Sequence, residues 1–124
     1  MSNSYKDSHT PTEIRVKSEE KSLEIDFDDG KSFSLPAELL RVESPSAEVQ
    51  GHGPGQKTLV VGRRHVGIMG LEQVGNYAVR IKFDDMHDTG IFSWATLYDY
   101  GTRKEEMWGN YLVALKTQGL SRDP

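Results

Sequence analysis

Asp84, Asp85, His87 and Asp88 crowd one short stretch, and His52 lies upstream among glycines. Carboxylate oxygens and imidazole nitrogens are donors that iron, manganese and zinc accept. A metal site would draw on His87, Asp85 and His52. The spacing gives that reading little support. No His-x-Asp or His-x-Glu pair starts a two-histidine, one-carboxylate site. Counted from Asp84, the sixth position is Thr89, where a calcium loop requires glycine. Aspartate-rich turns are also what ordinary solvated turns are made of. GHGPGQKT, from Gly51 to Thr58, misses the phosphate-loop pattern only at Gln56. Such a loop needs a buried strand before it and a helix after it, so that backbone N–H groups face the phosphate. Here Ser44-Pro45-Ser46 precedes and Leu59-Val60-Val61 follows. Ser44 and Ser46 lack the Gly-x-Ser-x-Gly setting of a serine nucleophile. The residues predict no hydrolase or nucleotidase activity, and no cofactor.

The elements around these residues follow from periodicity. Glu13 to Lys17 alternates polar and apolar, as a half-buried strand does. Leu23, Ile25 and Phe27 form a second strand, and Asp28-Asp29-Gly30 turns it into a short third, Lys31 to Ser34. Pro36 opens a helix over Ala37 to Leu40. Ser44 to Lys57 has neither period, and an unstructured run of that length is often functional. Thr58 to Val61 and Val66 to Val74 read as strands. Gly75-Asn76 reads as a two-residue hairpin loop leading into Val79, Ile81 and Phe83. Thr89 to Phe92 follows as a strand, then a helix from an N-cap at Ser93 through Tyr98. Thr102 to Glu105 fits a capping box. Met107, Trp108, Tyr111, Leu112 and Leu115 then make an apolar stripe on a helix ending near Gly119, a stripe expected to pack on the sheet.

The chain says nearly the same thing twice: FDDGKSFSLPAELL from Phe27 and FDDMHDTGIFSWATLY from Phe83. Leu23, Ile25 and Phe27 match Val79, Ile81 and Phe83, so both sets must face one core. The second turn is three residues longer, and the extra residues are read as including the His87 region.

The whole chain has 124 residues, with a net charge of −4 and no cysteine. That length suits one domain with one core. The acidic balance opposes general nucleic-acid binding and adhesion to anionic membranes. Lack of cysteine excludes disulfides, thiolate metal sites and cysteine nucleophiles. The first residues have no apolar signal segment, and no apolar run nears the roughly 20 residues that span a bilayer. A cytoplasmic monomer is expected. Residues 1–11 are read as a disordered tail, 12–101 as the domain, 102–118 as the C-terminal helix and 119–124 as a second tail. The fold class is α+β: a compact, strand-rich domain with twisted antiparallel sheets, short helices and an amphipathic C-terminal helix.

Several motifs together are specific. Leu40-Arg41, SPSAEV from Ser44, GHGPGQ from Gly51, VGNYAVRIKFDD from Val74, and His87 to Ile91 through Ser93-Trp94 resemble the γ-butyrobetaine hydroxylase-like N-terminal domain family. The resemblance runs from about Glu13 to Gly101. It implies a compact α+β domain of the kind that precedes the barrel in γ-butyrobetaine dioxygenases. It also occurs as standalone bacterial proteins of no established activity and fused to iron–sulfur carrier ATPases. The dioxygenase version holds a structural zinc through Cys-x-Cys-x-x-Cys and a later histidine. Those positions fall here on Ser44, Ser46, Val49 and His87, which implies that zinc has been lost and that the 44–57 loop lies against the His87 turn. A polar network of Arg41, Ser44, Ser46, Glu48, His52, Asp85, His87 and Trp94 is expected in its place. Met86 stands where relatives commonly have glycine. The resemblance implies a non-enzymatic accessory or protein-interaction module whose partners belong to iron–sulfur or oxygenase machinery. The alternative is a metal- or small-ligand-binding domain using the His87 turn and the 44–57 loop.

Overall fold

A computed structural model describes residues 9–124. Most of the expected N-terminal tail lies outside these residues. Its last member, Pro11, already starts strand β1 (Pro11–Lys17). β1 pairs antiparallel with β2 (Ser22–Phe27), and β2 with β3 (Ser32–Pro36). Helix α1 (Ala37–Val42) and the one-turn helix α2 (Ala47–Gln50) follow. The second sheet is β4 (Ile68–Val74), β5 (Ala78–Phe83) and β6 (Ile91–Ser93), again antiparallel and in sequence order. Helices α3 (Trp94–Thr102) and α4 (Lys104–Gln118) complete the α+β fold.

The alternation in the two Phe-Asp-Asp strands does what the pattern requires. Leu23, Ile25 and Phe27 from β2, and Val79, Ile81 and Phe83 from β5, are buried in one core with Leu35, Leu40, Phe92 and Leu97. On the outer face of the first sheet, Arg15 bridges Glu24 and Asp26 across the β1–β2 pair. Arg80 meets Glu72 across the β4–β5 pair.

Four sequence expectations are corrected. Thr58–Val61 is not a strand, and β4 begins at Ile68, after Val66. The run 58–61 joins no sheet: Thr58 N–H donates to the Val49 carbonyl (2.7 Å), the Val60 carbonyl accepts the Tyr111 hydroxyl (2.8 Å), and Leu59, Val60 and Val61 lie against Val42, Tyr111 and Leu115. The α4 stripe therefore covers this segment and the end of α1 as a second small core, while Leu112 stays exposed. The β4–β5 loop has three residues, Gly75 to Tyr77, since Val74 pairs with Ala78. Thr102 caps nothing ahead of α4. It ends α3, donating its hydroxyl to the Asp99 carbonyl, and α4 begins directly after Arg103 without a side-chain cap.

The C-terminal residues form no free tail either. Gly119 takes the left-handed conformation (φ 67°), and Leu120 N–H reaches back to the Leu115 carbonyl, the helix stop that glycine permits. The chain then docks along 62–64: Gly62 N–H donates to the Ser121 carbonyl, and Arg64 N–H to that of Arg122.

Candidate functional site

The second Phe-Asp-Asp turn copies the first, atom for atom. Phe27 N–H donates to the Lys31 carbonyl (2.8 Å), and Phe83 N–H to that of His87 (3.0 Å). Gly30 N–H returns to the Phe27 carbonyl (3.0 Å), and Met86 N–H to that of Phe83 (3.2 Å). Asp29 Oδ1 accepts Lys31 N–H at 3.0 Å, as Asp85 Oδ1 accepts His87 N–H at 3.1 Å. His87 is thus the counterpart of Lys31 and belongs to the shared turn. Phe92 opposes Val79 as Leu35 opposes Leu23, and Ser93 and Pro36 each precede a helix. The second copy therefore carries one extra residue after His87, not three, and the sequence match of Phe33-Ser34 to Phe92-Ser93 is corrected by two positions.

Met86 is the counterpart of Gly30. Both have positive φ, 74° and 88°. A side chain in that region crowds its own carbonyl at about 1–2 kcal/mol, whereas glycine does not. Met86 nonetheless sits there with its side chain 81% exposed. Met86→Gly is expected to raise stability in a urea titration by about 0.5–1 kcal/mol, the relieved strain less the larger unfolded entropy of glycine. A loss of stability would show that the methionine is packed rather than displayed.

His87 is 5% exposed. Its Nε2 lies 2.9 Å from Ser44 Oγ and its Nδ1 2.8 Å from Glu48 Oε1. An ionised carboxylate only accepts, so Nδ1 carries the proton and Ser44 O–H donates to Nε2. Ser44 Oγ in turn accepts Ser46 N–H (3.2 Å). Ser46 caps α2 by accepting Glu48 N–H, and its hydroxyl contacts Thr89 Oγ1 at 2.7 Å. Gly90 makes room for this: a Cβ there would lie 2.4 Å from Ser44 Oγ.

Burial pushes the His87 pKa below its usual 6.5, and the charge of Arg41 adds to this. The Glu48 hydrogen bond and the Glu48 and Asp85 charges oppose them without prevailing. Because the folded value is depressed, the unfolded chain binds the proton more readily. The contribution of His87 is complete above about pH 6.5 and is lost as pH falls below it. Stability measured between pH 7.5 and 5 is expected to fall more steeply in wild type than in His87→Gln; parallel curves would contradict the buried neutral imidazole.

Asp85 is clamped from two sides. Arg41 Nε donates to its Oδ2 at 2.7 Å and Arg63 Nε to the same oxygen at 2.6 Å. Burial pushes the Asp85 carboxyl up. The Arg41 and His87 hydrogen bonds, the Arg41 charge and the Arg63 bond outweigh it and hold the pKa below 3.8.

The structure therefore brings together Arg41, Ser44, Ser46, Glu48, Asp85 and His87. His52 is exposed in the glycine loop, where its N–H bonds to Gln56 Oε1. Trp94 sits at the β4–β5 hairpin, donating Nε1–H to the Asn76 carbonyl. Neither joins the cluster, and that part of the expected network is corrected. Arg63 and Thr89 do join it, though sequence reasoning did not select them. The only hint of Arg63 was its place in the basic run Arg63-Arg64-His65.

The group does not fit zinc. Ser44 and Ser46 offer neutral hydroxyls that are already hydrogen-bonded, Val49 offers none, and both nitrogens of His87 are engaged. Among the described residues no three histidine or acidic side chains converge as a metal site.

Comparison with known proteins places this arrangement. The family described as gamma-butyrobetaine hydroxylase-like, N-terminal, matches residues 14–98. The chain belongs to that family. Two solution NMR structures resemble this gamma-butyrobetaine hydroxylase-like domain at 46% and 47% identity, each with a TM-score of 0.82. They cover 94% and 95% of this chain and 91% and 88% of their own. A crystal structure from Acidithiobacillus ferrooxidans, of a protein of unknown function in the DUF971 family, is 39% identical. It covers 71% of this chain and 88% of its own, with a TM-score of 0.60. No curated protein matches the chain. No described helix of this family member is long and apolar enough to cross a membrane.

Proposed function

We propose that this domain is a non-enzymatic interaction module, in which the His87 cluster holds the 44–50 segment and the following turn in one arrangement and thereby displays Met86. The observation that carries the reading is the use of both His87 nitrogens inside the chain, by Ser44 and Glu48. A metal ligand needs a free nitrogen. A Ser–His–Glu chain of this kind could serve a nucleophilic serine, but Ser44 is completely buried, so no substrate reaches its hydroxyl. Asp85, the other carboxylate of the cluster, is spent on two arginines and the turn. What this rigid cluster leaves facing water is an apolar side chain in a backbone conformation that methionine does not favour. Strained residues persist where the surroundings over-determine them, and they concentrate at recognition sites. Methionine suits such a site because its unbranched side chain adapts to many surfaces. The partner class that the family resemblance suggests is iron–sulfur or oxygenase machinery, and the setting is the cytoplasm, with no nucleic acid and no membrane involved.

A photo-crosslinking amino acid introduced at Met86, with the same probe at exposed Glu20 as control, tests this in cells. One discrete adduct specific to position 86 is expected, and mass spectrometry identifies it. Equal labelling at both positions, or none at 86, would contradict the display role. Turnover supplies the other arm. The purified chain is expected to hydrolyse no ATP, and hydrolysis abolished by Lys57→Ala would restore the phosphate-loop reading. Lys57 has another occupation in the fold: its Nζ pairs with Glu43 at 2.6 Å.

A further inference from the structure

We propose that the hollow beside Arg41 and Arg63 binds a small oxyanion, the carboxylate or phosphate group of a ligand. This site is separate from Met86 and does not depend on the interaction role. The cavity measures about 340 Å³ and is lined by Arg41, Arg63, Glu48, Val49 and the segment Thr58 to Val61.

Three observations converge on an anion. First, both guanidinium groups spend only their Nε on Asp85, and on the same oxygen. A guanidinium is a planar fork of five donors. Held through Nε, a guanidinium can present its terminal nitrogens to a second acceptor, as in carboxylate and phosphate binding. Arg63 Nη1 already donates to the Val61 carbonyl (3.0 Å), which leaves its Nη2. Second, Arg41 is 9% exposed, and its buried Nη1 has no hydrogen-bond partner among the described residues. A buried charged donor without an acceptor is costly, and Arg41 lines the hollow. Third, two arginines share one aspartate, so the trio keeps a single positive charge. Glu48, the other charged lining residue, directs Oε1 to His87 and has a side chain 62% exposed, so water screens most of its charge. The remaining wall, Val49 and Leu59 to Val61, is apolar and would suit a carbon chain attached to the anionic group.

Nitrogen-15 NMR titration of the full chain with sodium phosphate, and separately with sodium acetate, at pH 7 and constant ionic strength, reads the site directly. Saturable shifts are expected at the side-chain Nε–H of Arg41 and Arg63 and at the amides of Val60 and Val61. Arg63→Gln is expected to weaken binding by about tenfold or more, as loss of one charge-assisted pair does. Arg64→Gln, one residue on and paired with Asp123, serves as the control and is expected to change nothing. Arg41→Lys keeps the buried charge but not the fork, and is expected to bind as weakly as Arg63→Gln while folding normally. Response to phosphate alone supports a phosphorylated ligand; response to acetate supports a carboxylate. Shifts that do not saturate with either salt, or that saturate equally in Arg63→Gln, overturn the proposal.

Discussion

His87→Ala is expected to lower folding stability by about 2–3 kcal/mol in a urea titration. Ser44 is completely buried, and its hydroxyl would lose the Nε2 acceptor; one stranded buried polar group costs about 1–3 kcal/mol. The missing ring adds to this by leaving space against Phe83, whose ring centre lies 5.9 Å away. Glu48 adds little, because its exposed carboxylate returns to water. Adding zinc, iron or manganese is expected to leave both proteins unchanged. A metal-dependent gain confined to wild type would instead show a site that uses His87, as binding linkage requires. Equal stability of both proteins would make His87 a spectator.

Arg122→Ala is expected to cost about 3 kcal/mol, although the residue lies two places from the C-terminus. Its guanidinium takes both oxygens of Glu38, at 2.7 and 2.8 Å, and lies over Trp108 at 4.9 Å from the ring centre. The Glu38 side chain is only 7% exposed, so losing its partner strands a buried charge. Glu38→Gln in the same background should recover much of the loss, since an amide tolerates burial better than a carboxylate. A cost under about 1 kcal/mol would show that the C-terminal residues peel away freely.

The sheets were readable because alternation reports burial directly: every apolar residue of Leu23-x-Ile25-x-Phe27 and of Val79-x-Ile81-x-Phe83 faces the core. Thr58 to Val61 misled for the converse reason. β-Branched residues suit any extended surface that packs on one side, and nothing local distinguishes a strand from an extended segment outside the sheets. Helix α2 is a single turn, too short to show a period; its signal was the pair Ser46 and Glu48, where the Ser46 hydroxyl accepts Glu48 N–H. Thr102 misled because the capping-box pattern says nothing of whether the preceding helix has ended. In the cluster, residue types and the family motifs brought Ser44, Ser46, Glu48 and Asp85 to His87. Arg63 enters from a loop 22 residues before Asp85, and no periodicity links the two. His52 and Trp94 were attractive by type alone; tertiary structure turned each to other partners.

Each sheet is a meander, with strands paired in the order they leave the chain. Hairpins of this kind close short loops, so each sheet can form early and at small entropic cost. Neither can stand alone, because β2 and β5 contribute their apolar faces to one shared core. The step expected to limit folding is therefore the packing of β2 against β5, with the outer strands β1 and β4 consolidating later. Substitutions at the interface between β2 and β5, such as Ile25→Val or Ile81→Val, should slow folding, while changes in the outer strands β1 and β4 should chiefly speed unfolding. On that expectation the repeated turn would serve kinetics as well as structure: the same short-range loop closure, written twice, is available to each half.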